Sequence, residues 1–108
     1  MTENSFLPVK PEPNQRFSVV LDDQNCTIEL YQRFDHLYAN VFVDDNPVIL
    51  GAVCLDRAVI TMIDQNKFRG DLYFMDNLGT NDPQWEGLGE RYSLLYAPPW
   101  RSDDGLSS

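Results

Sequence analysis

The sequence predicts an all-β fold: a small single-domain barrel or sandwich of about six to seven mainly antiparallel strands, with an extended N-terminal arm and a flexible C-terminal tail. Three observations carry this expectation. Apolar residues alternate with polar ones at a period of two along most of the chain, as in strands that bury one face. Clusters of Asp, Asn, Gly and Pro break the alternation at roughly ten-residue intervals, the spacing of hairpin turns. No stretch keeps a helical period, and no internal repeat is visible.

The elements follow in order. Residues 5–13 hold three prolines, Pro8, Pro11 and Pro13. Proline fixes φ and donates no hydrogen bond, so residues 1–14 are expected to be an extended arm. Phe6, Leu7 and Val9 give that arm apolar anchors, either for a partner or for the chain's own core.

The β domain is expected over residues 15–97. Phe17, Val19 and Leu21 share one strand face, and Asp22-Asp23-Gln24-Asn25 is a polar turn. Cys26, Ile28 and Leu30 alternate with Thr27, Glu29 and Tyr31, which completes a half-buried hairpin. Arg33-Phe34-Asp35-His36 makes the next turn. Leu37, Ala39, Val41 and Val43 then mark a third strand, and Asp44-Asp45-Asn46-Pro47 turns again. The run Val48 to Leu55 is almost wholly apolar, which suits a buried strand, and Gly51 inside it suggests a bulge. Arg57 to Ile63 is a candidate short strand before a loop at Asp64-Gln65-Asn66-Lys67. From Gly70, Leu72 and Phe74 alternate with Tyr73 and Met75. Residues 76–89 form a long turn-rich loop, and Tyr92, Leu94 and Tyr96 close the pattern. Pro98-Pro99 ends that strand, and residues 98–108, rich in Ser, Asp and Gly, are expected to be a flexible tail.

Charge narrows the function. Seventeen acidic residues against eight basic ones give a net charge of −9. Nucleic-acid binding needs Lys and Arg to neutralise phosphates, so neither DNA nor RNA is an expected partner. An anionic membrane surface is disfavoured for the same reason. No apolar stretch approaches the ~18 residues of a membrane span. Met1-Thr2-Glu3-Asn4 does not open a signal peptide, so synthesis and retention in a cytosol are expected. Cys26 and Cys54 lie in apolar stretches with no C-x-x-C spacing, so they read as reduced core thiols, with a disulfide between them the alternative.

The sequence offers little for catalysis. A nucleophile needs a base within reach, and the single histidine, His36, sits in a turn beside Asp35. No G-x-S-x-G motif is present. Asp22-Asp23, Asp44-Asp45 and Asp103-Asp104 invite a calcium reading, but hard cations want several converging oxygens, and two of these pairs sit where turns favour aspartate anyway. Residues 76–86 fail the EF-hand spacing, with Leu78 in a ligand position. Gly87-Leu88-Gly89 does not open a helix after a strand, as a phosphate loop must. No catalytic residue, metal site or cofactor is therefore expected. The remaining unusual residues are apolar ones in exposed-looking segments. Trp85 lies in the long loop, Trp100 follows the last strand, and Phe6, Leu7 and Val9 lie in the arm. Tryptophan and other aromatics are enriched among interface anchors, so these five are the candidate partner-binding residues.

The ordered segments resemble a known family. Its pieces here are Phe6-Leu7-Pro8, then Pro13-Asn14-Gln15-Arg16-Phe17-Ser18-Val19 leading into Leu21-Asp22, then Pro47 to Leu55 with Gly51 in place. Gly70-Asp71-Leu72-Tyr73-Phe74-Met75-Asp76, Asp82-Pro83 and Gly87-Leu88-Gly89-Glu90-Arg91-Tyr92-Ser93-Leu94-Leu95-Tyr96 complete them. No piece is specific alone; the ordered set, over about residues 6–97, resembles the phage baseplate plug family, small β-rich tail proteins of contractile-tailed phages. Members often carry a tryptophan in the third strand, where this chain has Tyr38 and Phe42.

The resemblance implies a structural role in the virion, at the distal end of the tail. Other baseplate, hub and tail-tube proteins would be the partners, with several copies around the tail axis and assembly in the host cytoplasm. It carries no catalytic residues. On this reading the arm and tail would become ordered only on assembly, so removing residues 1–13 is expected to abolish incorporation into tails and to spare the domain. A negative surface would also suit a DNA conduit, since it repels the genome. Two other readings compete: a cytosolic β-barrel protein–protein adaptor without catalytic activity, and a metal-assisted hydrolase using the acidic turns.

Overall fold

Short loops make the first long strands fold against one another. The computed structural model describes residues 5–61 and 67–98. After a two-residue strand β1 (Ser5–Phe6) come β2 (Asn14–Leu21), β3 (Gln24–Arg33), β4 (His36–Val43) and β5 (Asn46–Cys54). The last four form one antiparallel sheet in the order β2-β3-β4-β5. Each is joined to the next by two residues only. Asp22 and Asp23 have φ of 51° and 64°, and Asp44 and Asp45 have 52° and 68°. Both pairs thus make the left-handed two-residue turn whose twist matches that of flanking strands, at positions where aspartate is tolerated. The turns are tighter than the four-residue clusters in the sequence suggested, because this turn type needs only two residues.

Register puts the alternating residues where the pattern placed them. Phe17 pairs with Ile28, and Ile28 with Val41, in one row across three strands. Cys26, Ile28, Leu30, Leu37, Ala39 and Val41 are all buried on the inner face.

A second sheet covers that face. It has the order β1-β7-β6, with β6 spanning Asp71–Asp76 and β7 spanning Tyr92–Ala97. Leu72, Phe74, Leu94 and Tyr96 point into the shared core, joined by Phe68, Ile60 and Leu88. The architecture is thus a sandwich of two antiparallel sheets and not a closed barrel. Gly70 is forced by packing: with φ of +98°, a Cβ there would lie 2.4 Å from the Tyr96 hydroxyl.

Three expectations need correction. First, β5 is not a buried strand. It is the edge of its sheet, and Leu50 and Val53 are 65% and 40% exposed. An uninterrupted apolar run looks the same whether both faces are covered or one is left open. The bulge expected at Gly51 is present: the register with β4 shifts there, φ is +68°, and the Gly51 N–H donates to Asn40 Oδ1 at 2.7 Å.

Second, the segment from Arg57 forms no strand among the described residues. It makes single bridges from Asp56 to Phe74 and from Val59 to Tyr73, because Arg57 at φ 58° breaks the extended run. Third, part of the N-terminal segment belongs to the folded domain. Ser5 and Phe6 pair with Tyr96 and Leu95, the Leu7 N–H donates to the Leu94 carbonyl at 2.9 Å, and Leu7 and Val9 are buried. Removing residues 1–13 therefore cannot spare the core.

The cysteines are the free core thiols expected, and they cannot pair. Cys26 lies opposite Val43 and Cys54 opposite Leu37, six residues apart along β4. At roughly 3.3 Å per residue that is about 20 Å, far beyond disulfide reach. Both thiols are free and buried, and burial pushes Cys26 up to about 11 and Cys54 higher still.

Candidate functional site

Several ionisable groups hold the loop between β6 and β7. Asp76, at the end of β6, is buried. Its Oδ1 and Oδ2 accept hydrogen bonds from Arg91 Nε and Nη2, each at 2.8 Å. The N–H groups of Leu78 and Asn81 donate to the same two oxygens at 2.9 and 2.8 Å. The Arg91 guanidinium, helped by these N–H groups and opposed by burial, holds the carboxyl well below the usual carboxylate range. Asp56 Oδ1 accepts from the Asp76 N–H at 2.8 Å, and Asp82 Oδ1 accepts from the Asp56 N–H at 3.0 Å. Arg57 donates to the Gly79 carbonyl at 3.0 Å. This network pins the segment between β6 and β7. Asp76, the buried centre of the network, accepts four of these hydrogen bonds. Among the described residues, no three or more His, Cys, Asp or Glu are grouped to hold a metal ion. His36 Nε2 lies 3.8 Å from Asp82 Oδ2, so the histidine joins the same loop.

The meander has two unlike ends. Its order and short loops put Asp22-Asp23 and Asp44-Asp45 at the same end of the sheet. Asn25 Nδ2 links them by donating to Asp44 Oδ1 at 3.2 Å, and Arg69 holds Asp22 at 3.0 Å. The β3–β4 loop, Phe34-Asp35, is at the other end.

That second end exposes an aromatic ring among polar neighbours, on a loop braced by hydrogen bonds. Phe34 is 93% exposed and has φ of 55°. Only the first of the two loop residues has a positive φ, a backbone region where glycine is the usual occupant. Holding a phenylalanine there costs about 1–2 kcal/mol. Two glutamines brace the loop. Gln32 Nε2 donates to the Phe34 carbonyl at 3.1 Å and to Gln84 Oε1 at 2.9 Å. Gln84 Nε2 donates to the Asp35 carbonyl at 2.7 Å, and the Trp85 N–H donates to Gln32 Oε1 at 3.1 Å. On the open face of the sheet beside the tip, Tyr31 and Tyr38 stack at 5.7 Å. A shallow groove runs between Tyr31, Arg33, Phe34, Tyr38 and Gly51.

Of the five candidate partner-binding residues, the structure describes four and does not bring them onto one surface. Phe6 is 73% exposed, on the edge strand of the smaller sheet. Leu7 and Val9 face the chain's own core, and Val9 approaches so closely that a Cβ on Gly89 would lie 2.7 Å from its carbonyl oxygen. Trp85 is half-buried against the core, in a single 3-10 turn at Trp85–Gly87. Trp100 lies outside the described residues. The sequence reading passed over Phe34, although one signal was present: an aromatic in a turn between two alternating strands.

No curated protein matches the chain. A family described as cyanophage baseplate Pam3 plug gp18 matches residues 5–99, nearly the whole of it. That match covers every strand described above. The chain belongs to the cyanophage baseplate plug family and has a structural role in a phage tail baseplate.

Proposed function

We propose that this protein packs against hub and tail-tube proteins at the distal end of the tail, in several copies around the tail axis. Copies would assemble from subunits in the host cytoplasm. The family match over residues 5–99 carries this reading. The polarity of the meander supports an orientation: the end bearing Asp22, Asp23, Asp44 and Asp45 is turned toward the DNA conduit, where negative charge repels the genome at short range. Phe6, exposed on β1, meets a neighbouring subunit. Trp100 is proposed as a second contact on sequence grounds alone. Leu7, Val9 and Trp85 act from beneath, holding the contacting segments on the domain. The reading contains no reaction and no cofactor.

Neutralising Asp23 and Asp45 to asparagine tests the orientation. Both side chains are exposed, and asparagine tolerates the same left-handed turn, so folding is expected to be unchanged. DNA ejection or tail assembly is expected to slow. Wild-type assembly and ejection by the double variant would refute the lumen-facing placement.

A further inference from the structure

We infer that the β3–β4 tip is a docking surface for a different baseplate protein, one that offers an apolar pocket for Phe34 and a carboxylate for Arg33. The inference rests on the baseplate reading above and adds a surface and a partner chemistry to it.

Three observations support it. Phe34 is almost fully exposed in a backbone conformation that suits glycine, so neither core packing nor turn geometry accounts for phenylalanine at this position. The tip is braced by Gln32 and Gln84, so the ring is presented from a rigid base and loses little freedom when captured. Arg33, next to it, is exposed. Among the described residues, Arg16, Arg57, Arg69 and Arg91 each have a carboxylate within 4.0 Å, and Arg33 does not. An exposed aromatic beside an unpaired arginine is the composition of an interface anchor. The stacked Tyr31 and Tyr38 extend it as an apolar shelf. A phenylalanine buries about 150–250 Å² and a stable interface about 800 Å² per partner, so the tip is one anchor in a larger contact.

The chemistry points away from a second copy. Of two larger depressions on this chain, one is lined by Asn25, Asp44 and Asp45 among others, and the other, about half polar, by Arg16, Glu29 and Tyr31 among others. The first sets carboxylates, and the second an ion pair, where an apolar pocket for Phe34 is needed. Two chains of net charge −9 also repel one another.

The test uses intact phage. A photoreactive phenylalanine analogue replaces Phe34, tails are purified and irradiated, and the cross-linked peptides are sequenced. We expect a cross-link to another baseplate protein, among apolar residues near an Asp or Glu. A cross-link to another copy of this chain overturns the inference. So does a yield no higher than that of the same probe at exposed Thr80. In parallel, Phe34→Gly is expected to keep or raise the Tm of the isolated protein and to lower its copies per tail at least tenfold. Normal incorporation, or a lowered Tm, overturns the inference. Absence of the wild-type protein from purified tails would instead overturn the baseplate placement, so the two failures are distinct.

Discussion

Leu7→Ala and Phe6→Ala together test whether the N-terminal segment is part of the fold. The two residues are adjacent but face opposite ways: Leu7 is 7% exposed and Phe6 is 73% exposed. Leu7 sits in the core cluster, and its N–H is bonded to Leu94. Truncating a buried leucine removes its transfer energy and leaves a cavity, at a cost of about 2–5 kcal/mol. The segment lies at the edge of the smaller sheet and can partly collapse, so the lower half, about 2–3 kcal/mol, is expected. For a domain of this size that corresponds to a Tm lowered by roughly 8–20 °C. Phe6→Ala removes a mostly solvated ring and is expected within about 0.5 kcal/mol of wild type. Urea unfolding followed by tryptophan fluorescence reads both variants. Equal effects, or a Leu7→Ala variant as stable as wild type, would refute docking of residues 5–9 on the domain.

Other consequences follow from the same packing. Arg91 and two N–H groups stabilise ionised Asp76, so its folded pKa lies below the unfolded value of about 3.9. The contribution is complete above about pH 5 and is lost as pH falls through the folded pKa. Asp76→Asn is therefore expected to be less stable at neutral pH and to lose stability less steeply between about pH 5 and 2. Parallel slopes in pH-dependent unfolding would contradict this. The cysteines are buried and shifted upward, so a thiol reagent is expected to label neither at pH 8 until denaturant is added. Rapid labelling of the native protein would contradict that burial. Gly70→Ala is expected to destabilise the Phe68–Tyr96 contact severely, because the new methyl group enters the Tyr96 ring at an unfavourable φ. A wild-type melting curve for that variant would show the packing is wrong.

Much of the fold was legible because each strand of the β2–β4 meander buries one face. Ile28 and Leu30 alternate with Glu29 and Tyr31, and only a strand puts such residues on opposite sides. The edge position of β5 was not legible, since Val48 to Leu55 contains no polar residue to mark the open side. Leu7 and Val9 were visible as anchors, but apolar residues in an arm do not show whose core they enter. The Asp76–Arg91 pair joins residues fifteen apart across an irregular segment, where no period relates them. Phe34 went unread for a different reason. Its significance lies in a left-handed φ and in exposure, and both are properties of the folded turn.

A cryo-EM map of the assembled tail tests the central claim most directly. The account predicts copies of this two-sheet sandwich at the distal end of the tube, with the Asp22–Asp23 and Asp44–Asp45 turns facing the lumen and Phe34 seated in a neighbouring protein. A baseplate that lacks the sandwich would contradict the structural role itself.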